Sequence, residues 1–277
     1  MNTQTAASQI PVSLHVLKSF TLCVSLSLTI LFLSGTTNLN AEANLLGGEE
    51  ILKKFVEATG GKEAYEKIYN RVVTGTFEIP QGGLHASVTT YSARPNKMYV
   101  CVESKEMGKI EKGTNGEVAW DMTTMGGPRL LEGQEKEDYL REATFDRFVT
   151  WKTVYSKAEC TGIDDIDGRQ CFKVIMTPKS GNPQTFFFDT KSYLIVKSET
   201  TFSLQTGDVL IESYGFDYKE VDGILIAHTS KTFIMGQERI MVTESIEHNV
   251  EFQEDPFILP DEIQALVNRN KRMKDKP

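Results

Sequence analysis

The sequence predicts a mainly β fold with some α: a single curved antiparallel half-barrel of about 11–12 strands covered by helices. Three observations lead there. From Arg71 onward, short segments rich in Val, Thr, Phe, Tyr and Ile alternate with turn residues at intervals of about ten positions, the pattern of consecutive antiparallel strands. Tight pairs such as Asn115-Gly116, Asp167-Gly168 and Asp222-Gly223 supply the backbone freedom that short hairpins need. No fixed-period repeat and no proline- or serine-rich linker splits the segments, so they belong to one sheet, and an antiparallel sheet this wide curls or closes instead of lying flat.

Taken in chain order, the first element is a helix over 49–58. It carries Ile51, Leu52, Phe55 and Val56 at helical spacing and stops at Gly60-Gly61. A second helix over 62–69 presents Ala64, Tyr65, Ile68 and Tyr69. Strands are expected over 71–79, 84–92, 97–104, 109–113 and 117–122. Between 127 and 155 the texture turns helical, with Leu140, Phe145, Phe148, Val149 and Trp151 set among Arg141, Asp146, Arg147 and Lys152. A second run of strands follows over 154–162, 170–177, 185–189, 193–204, 209–219, 224–233 and 238–252. A short helix over 260–267 and a basic tail, 268–277, end the chain.

Composition sets the class. The chain has 277 residues, 40% hydrophobic and 25% charged, enough to bury a sizeable core. Its net charge of −8 and the lack of a long basic run argue against nucleic acid as a partner. The apolar stretch from Ser19 to Leu33 follows Lys18 and precedes small polar residues, the layout of a secretory signal peptide; it falls short of the roughly 20 residues that span a bilayer. Cleavage after the Ala41-Glu42-Ala43 triplet divides the chain into a signal peptide (1–43), one domain (44–267) and the tail, and places the protein in the periplasm or outside the cell; an uncleaved anchor would give the same topology.

Past that point stand Cys101, Cys160 and Cys171. Cys160 and Cys171 flank a turn-rich segment, where a disulfide is one reading and small buried hydrophobes the other. The Asp164-Asp165-Ile166-Asp167-Gly168 run lacks the spacing and the distal Glu of a calcium loop, which leaves a solvated turn. His85, His228 and His248 fall in separate strands, and neither G-x-S-x-G nor H-E-x-x-H occurs. No cofactor, metal or catalytic set is expected, and the chain reads as a non-enzyme.

The stretch from Tyr91 to Met122, with Arg94-Pro95-Asn96, the Asn115-Gly116 turn and Trp120, resembles the signature of the periplasmic lipoprotein carriers, the LolA-like lipoprotein-sorting family. The first helix and the Phe186–Asp189 segment are in keeping with it. The resemblance implies a half-open barrel whose apolar hollow holds the acyl chains of a lipid or lipid-modified protein, with an envelope membrane complex as a further partner. It also implies that Arg94, near the mouth, helps hold a helical lid. The long 127–155 segment departs from a minimal carrier. The candidate ligand-binding residues are Arg94 and Trp120 from the motif, Leu140, Phe145, Phe148 and Trp151 from the middle segment, and Ile51 and Phe55 from the first helix. The alternative is a non-enzymatic envelope scaffold whose concave face is filled by its own side chains.

Overall fold

The computed structural model describes residues 45–204 and 207–274; the expected signal peptide and its cleavage site lie outside them. Two helices open the described chain, α1 (Gly48–Ala58) and α2 (Lys62–Glu66). The first meander comprises β1 (Asn70–Ile79), β2 (Leu84–Ala93), β3 (Lys97–Ser104), β4 (Gly108–Thr114), β5 (Ala119–Thr123) and β6 (Gly127–Leu130). After α3 (Gly133–Glu142) and a 3-10 turn at Trp151–Thr153 comes the second: β7 (Tyr155–Ile166), β8 (Arg169–Pro178), β9 (Gln184–Asp189), β10 (Ile195–Leu204), β11 (Gly207–Val221), β12 (Ile224–Ile234) and β13 (Gln237–His248). The chain then enters α4 (Asp261–Lys274).

All strands form one 13-stranded antiparallel sheet in the order β6-β5-β4-β3-β2-β1-β13-β12-β11-β10-β9-β8-β7, a curved half-barrel that does not close. Every neighbour within a meander is a hairpin partner, so only the β1–β13 seam joins distant sequence. Its register sets Arg71 opposite His248. Asn70 locks the seam: its Oδ1 accepts from Val250 N at 2.8 Å while its Nδ2 donates to Val250 O at 2.9 Å.

The free edges are β6 and β7, and residues 131–154 tie one to the other. Across this strap the helical texture that the sequence shows over 127–155 becomes helix only in part. Gly127 takes a left-handed φ of 68° and the next residues extend as edge strand β6, where Pro128 is tolerated. Helix α3 stops at Glu142, and Asp146, at φ 49°, leaves the right-handed helical region before the 3-10 turn. The second helix is likewise shorter than expected, the last strand ends at His248, and α4 continues to Lys274, past the 260–267 that the sequence predicts and through the residues of the basic tail.

Pairing alternates the side chains between two faces. Arg71, Ser92, Met98, Thr114 and Ala119 share the face that carries the strap; Val72, Tyr91, Tyr99, Gly113 and Trp120 share the other. On the strap side, Ile51, Leu52 and Phe55 of α1 pack on Phe172, Val174, Met176, Phe186 and Phe188. Phe187 points the opposite way, into a cluster with Cys171 and Val196, which is why β9 reads as an unbroken apolar run. The close fit of α1 rests on Gly48, where a Cβ would lie 2.6 Å from the Ala158 carbonyl.

The same alternation removes the disulfide reading. Cys160 stands opposite Val174 and packs on the α1 cluster, whereas Cys171 stands opposite Asp164 and packs on Phe187. The two thiols belong to opposite faces and are free. The Asp-rich run forms the β7–β8 turn, with Asp165 Oδ1 accepting from Gly168 N at 2.8 Å.

Candidate functional site: a cavity beneath the strap

A cavity of about 360 Å³ opens between the strap and the sheet. One wall is apolar: Phe55, Phe148, Phe186, Ile195, Ile224 and Ile226. The other is charged, with Arg71, Glu142, Asp146 and Arg147. A second cavity, of about 280 Å³, lies between α1 and the strap and is lined by Leu52, Val56 and Trp151 with the stems of Lys53 and Lys62. Phe148 and Val149 line both cavities. Phe148 meets Phe55 and Phe186 edge-on, at centroid distances of 5.1 and 5.2 Å.

The charged wall consists of closed ion pairs. Arg147 and Glu142 bond through Nη1 and Oε2, their side chains are 21% and 25% exposed, and both line the cavity. Gln184 Nε2 donates to Glu142 Oε1 and to Thr200 Oγ1, each at 3.0 Å, and Tyr155 OH donates to Gln184 Oε1. Burial raises the Glu142 pKa, but the Arg147 charge and these hydrogen bonds outweigh it and hold the carboxyl below its ordinary range. Arg147 also lies over Phe148 at 5.4 Å, so a cation, its anion and an aromatic ring form one polar end to an apolar space.

The second ion cluster fixes the strap. The Asp146 side chain is 2% exposed; Arg94 reaches its Oδ2 at 2.8 Å and Arg71 its Oδ1 at 3.6 Å, and both guanidiniums lie over the Phe145 ring, at 5.2 and 5.3 Å. Arg94 donates further to Tyr65 O at 2.8 Å and Ile68 O at 2.7 Å, and Phe145 N donates to Pro95 O at 2.9 Å. The motif arginine therefore joins the end of α2, the β2–β3 turn and the strap. Arg94→Leu is expected to cost about 2 kcal/mol of stability, since it orphans two carbonyls and half of the Asp146 pairing while Arg71 remains; urea unfolding measures it, and an unchanged midpoint would deny Arg94 this role.

Arg71 extends the chain of contacts outward. Its Nε donates to His248 Nε2 at 2.9 Å, and His248 Nδ1 faces Asp222 Oδ2 at 2.9 Å. With Nε2 accepting, the ring is neutral with its proton on Nδ1, and burial holds its pKa below the ordinary value. A neutral folded-state histidine leaves the unfolded chain binding the extra proton below about pH 6.5, so its contribution is present above that pH and declines as pH falls toward the folded-state pKa. Asp146 acts with the opposite sign: burial lifts its carboxyl to about 6, against the pull of Arg71 and Arg94, so over about pH 4 to 6 acidification favours the fold. The His248 share is isolated by comparing wild type with His248→Asn. The wild type is expected to lose more stability than the variant between pH 7 and 5.5; parallel curves would contradict the tautomer assignment.

The cavity and its surroundings gather five of the eight residues that the sequence singles out. Phe55 and Phe148 line the main cavity, Phe148 and Trp151 the smaller one, Ile51 backs α1 at 0% exposure, and Phe145 sits beneath the arginine pair. Arg94 latches the strap and lines neither cavity. Leu140 is half-buried on α3 and lines neither. Trp120 is buried on the opposite face, where Tyr91, Tyr99 and Trp120 form an aromatic row capped by Phe252 and Phe257. Sequence reasoning missed Arg71, Glu142, Asp146 and Arg147 as wall residues, and Gln184 as the hydrogen-bond donor behind Glu142. In the sequence Asp146 and Arg147 are only polar residues interleaved with the apolar ones of a helical segment; in the structure Asp146 takes a left-handed φ of 49° and both line the cavity.

Comparison with solved structures gives the class. The fold matches a DUF1329 family protein from Desulfovibrio piger (TM-score 0.54, 13% identity, 76% of this chain and 96% of that one). It also matches a domain from Vibrio parahaemolyticus described as an outer-membrane lipoprotein-sorting protein (0.53, 13%, 76% and 96%). A LolA superfamily protein from Nitrosomonas europaea matches equally (0.53, 12%, 78% and 99%). No family model matches the chain, and no curated protein matches it in sequence. At these identities the likeness is one of fold: a distant LolA-like half-barrel, as the Arg94-Pro95-Asn96 block implies.

Proposed function

We propose that the protein is an exported, non-enzymatic carrier or sensor of the cell envelope that holds an acyl chain of a lipid or lipoprotein beneath the strap. One observation carries this reading: in a fold shared with lipoprotein-sorting proteins, the space under the strap is lined by Phe, Ile and Val side chains together with two ion-paired sets, Glu142 with Arg147 and Asp146 with Arg71. A hydrocarbon tail against the apolar wall contributes about 0.8 kcal/mol per buried methylene, and a headgroup at the polar end avoids desolvation without a partner. At about 360 Å³ the main cavity falls at the small end of ligand pockets, which fits one chain and not a bundle.

The scaffold reading has its own support, because α1 and the Phe-rich strands already fill much of the strap-side face. Native mass spectrometry of protein purified without detergent, followed by organic extraction, separates the two. Co-purifying acyl species are expected; a bare protein from which extraction recovers no lipid favours the scaffold.

A further inference from the structure

The carboxy-terminal helix carries a feature that the cavity does not use. From Asn268 to Pro277 the chain has five basic residues, Arg269, Lys271, Arg272, Lys274 and Lys276, against one acidic residue, Asp275, within a protein of net charge −8. Helix α4 is held by the fully buried Ile263, by half-buried Leu266 and Val267, and by Asn270, whose Nδ2 donates to Glu132 Oε1 at 3.4 Å. That leaves Ala265, Asn268, Arg269, Arg272 and Met273 along one exposed stripe, where they line a surface groove of about 360 Å³. Among the described residues the side chains of Arg269, Lys271 and Arg272 make no ion pair or hydrogen bond; Arg71, Arg94, Arg129, Arg141 and Arg147 are paired with carboxylates, and Arg169 and Arg239, also without an ion pair, stand singly on separate strands. Met273 is 57% exposed beside them.

The helix dipole favours cations in a last turn, but it does not explain why they gather on one outward stripe beside an exposed methionine. From the unpaired charge and its placement we infer that the carboxy-terminal half of α4 is a docking surface for an anionic lipid headgroup layer. Such a layer presents dense negative charge without demanding a shaped counter-surface, which suits exposed, unpaired side chains on a single helix. A folded protein partner needs a packed apolar centre, and Met273 is the only large apolar residue on the stripe. The methionine is placed to enter the headgroup boundary once the arginines and lysine engage phosphates.

The test is sedimentation of the full chain with vesicles of phosphatidylcholine alone or mixed with phosphatidylglycerol, over a NaCl series. The apolar segment near the amino terminus, with Lys18 before it, is the same in wild type and variants, so the comparison between them removes its contribution. The wild type is expected to prefer the anionic vesicles by about tenfold or more at low salt, with the preference fading as salt rises. Arg269→Glu/Lys271→Glu/Arg272→Glu is expected to abolish the preference, and Lys105→Glu, at the opposite rim of the sheet, to keep it; circular dichroism checks that α4 remains folded. An equal preference in the triple variant, or none in the wild type, overturns the inference. Capture of a poly-glutamate peptide that the triple variant loses, with vesicle binding unchanged, would overturn it in favour of an acidic protein partner.

Discussion

Glu142→Ala is expected to lower the unfolding free energy by about 3 kcal/mol, because it strands the Arg147 guanidinium against Phe148 and Phe186 with no anion to answer it. The same change frees Gln184 Nε2 of one acceptor, although Thr200 retains the other. Replacing both charges together, Glu142→Leu/Arg147→Met, is expected to recover most of that loss, since apolar residues of similar volume need no desolvation. Urea denaturation of the three proteins measures the coupling. The double variant also turns the polar end of the cavity apolar, so a fatty acid should bind it more weakly relative to a hydrocarbon of equal length. A single variant costing under about 1 kcal/mol would mean that bulk water reaches Arg147, and that the charged wall is a solvated surface.

Phe148→Ala is expected to have the largest effect on binding. The ring stands where the two cavities meet, and its removal would join spaces of about 360 and 280 Å³ into one run from the β12 wall to Trp151. Stability should fall by about 2 kcal/mol, less than for a fully buried phenylalanine because Phe148 is only partly enclosed. The gain should appear only for ligands long enough to use the added space: each methylene newly buried contributes about 0.8 kcal/mol, so a sixteen-carbon fluorescent fatty acid is expected to tighten about tenfold while an eight-carbon one does not. Equal changes for both chain lengths would place the bound chain elsewhere.

Much of the fold was legible in the chain. The hairpin turns at Asn115-Gly116, Asp167-Gly168 and Asp222-Gly223 are local chemistry, and local chemistry is what a sequence displays. The α1 face of Ile51, Leu52 and Phe55 was legible for the same reason. The strap was not. Its residues have helical composition over 127–155, yet it must connect two sheet edges, and that tertiary demand straightens β6 and breaks the chain at Asp146. The charged wall was hidden with it, because the partners of Arg147 and Asp146 follow from where the strap crosses. Trp120 illustrates a different limit: alternation says that it lies on one face, but only the β4–β5 register against Gly113 shows that this face is the aromatic row away from the cavity.

Photo-crosslinking tests most directly whether an acyl chain lies beneath the strap. The protein is irradiated with a diazirine-bearing palmitate and the labelled peptides are mapped by mass spectrometry. Adducts are expected on the strap peptide spanning Glu142 to Trp151 and on β12 from Ile224 to Ala227, with excess palmitate suppressing both. Label confined to the outer aromatic row around Tyr99 and Trp120, or label that palmitate does not displace, would contradict the cavity as the binding site.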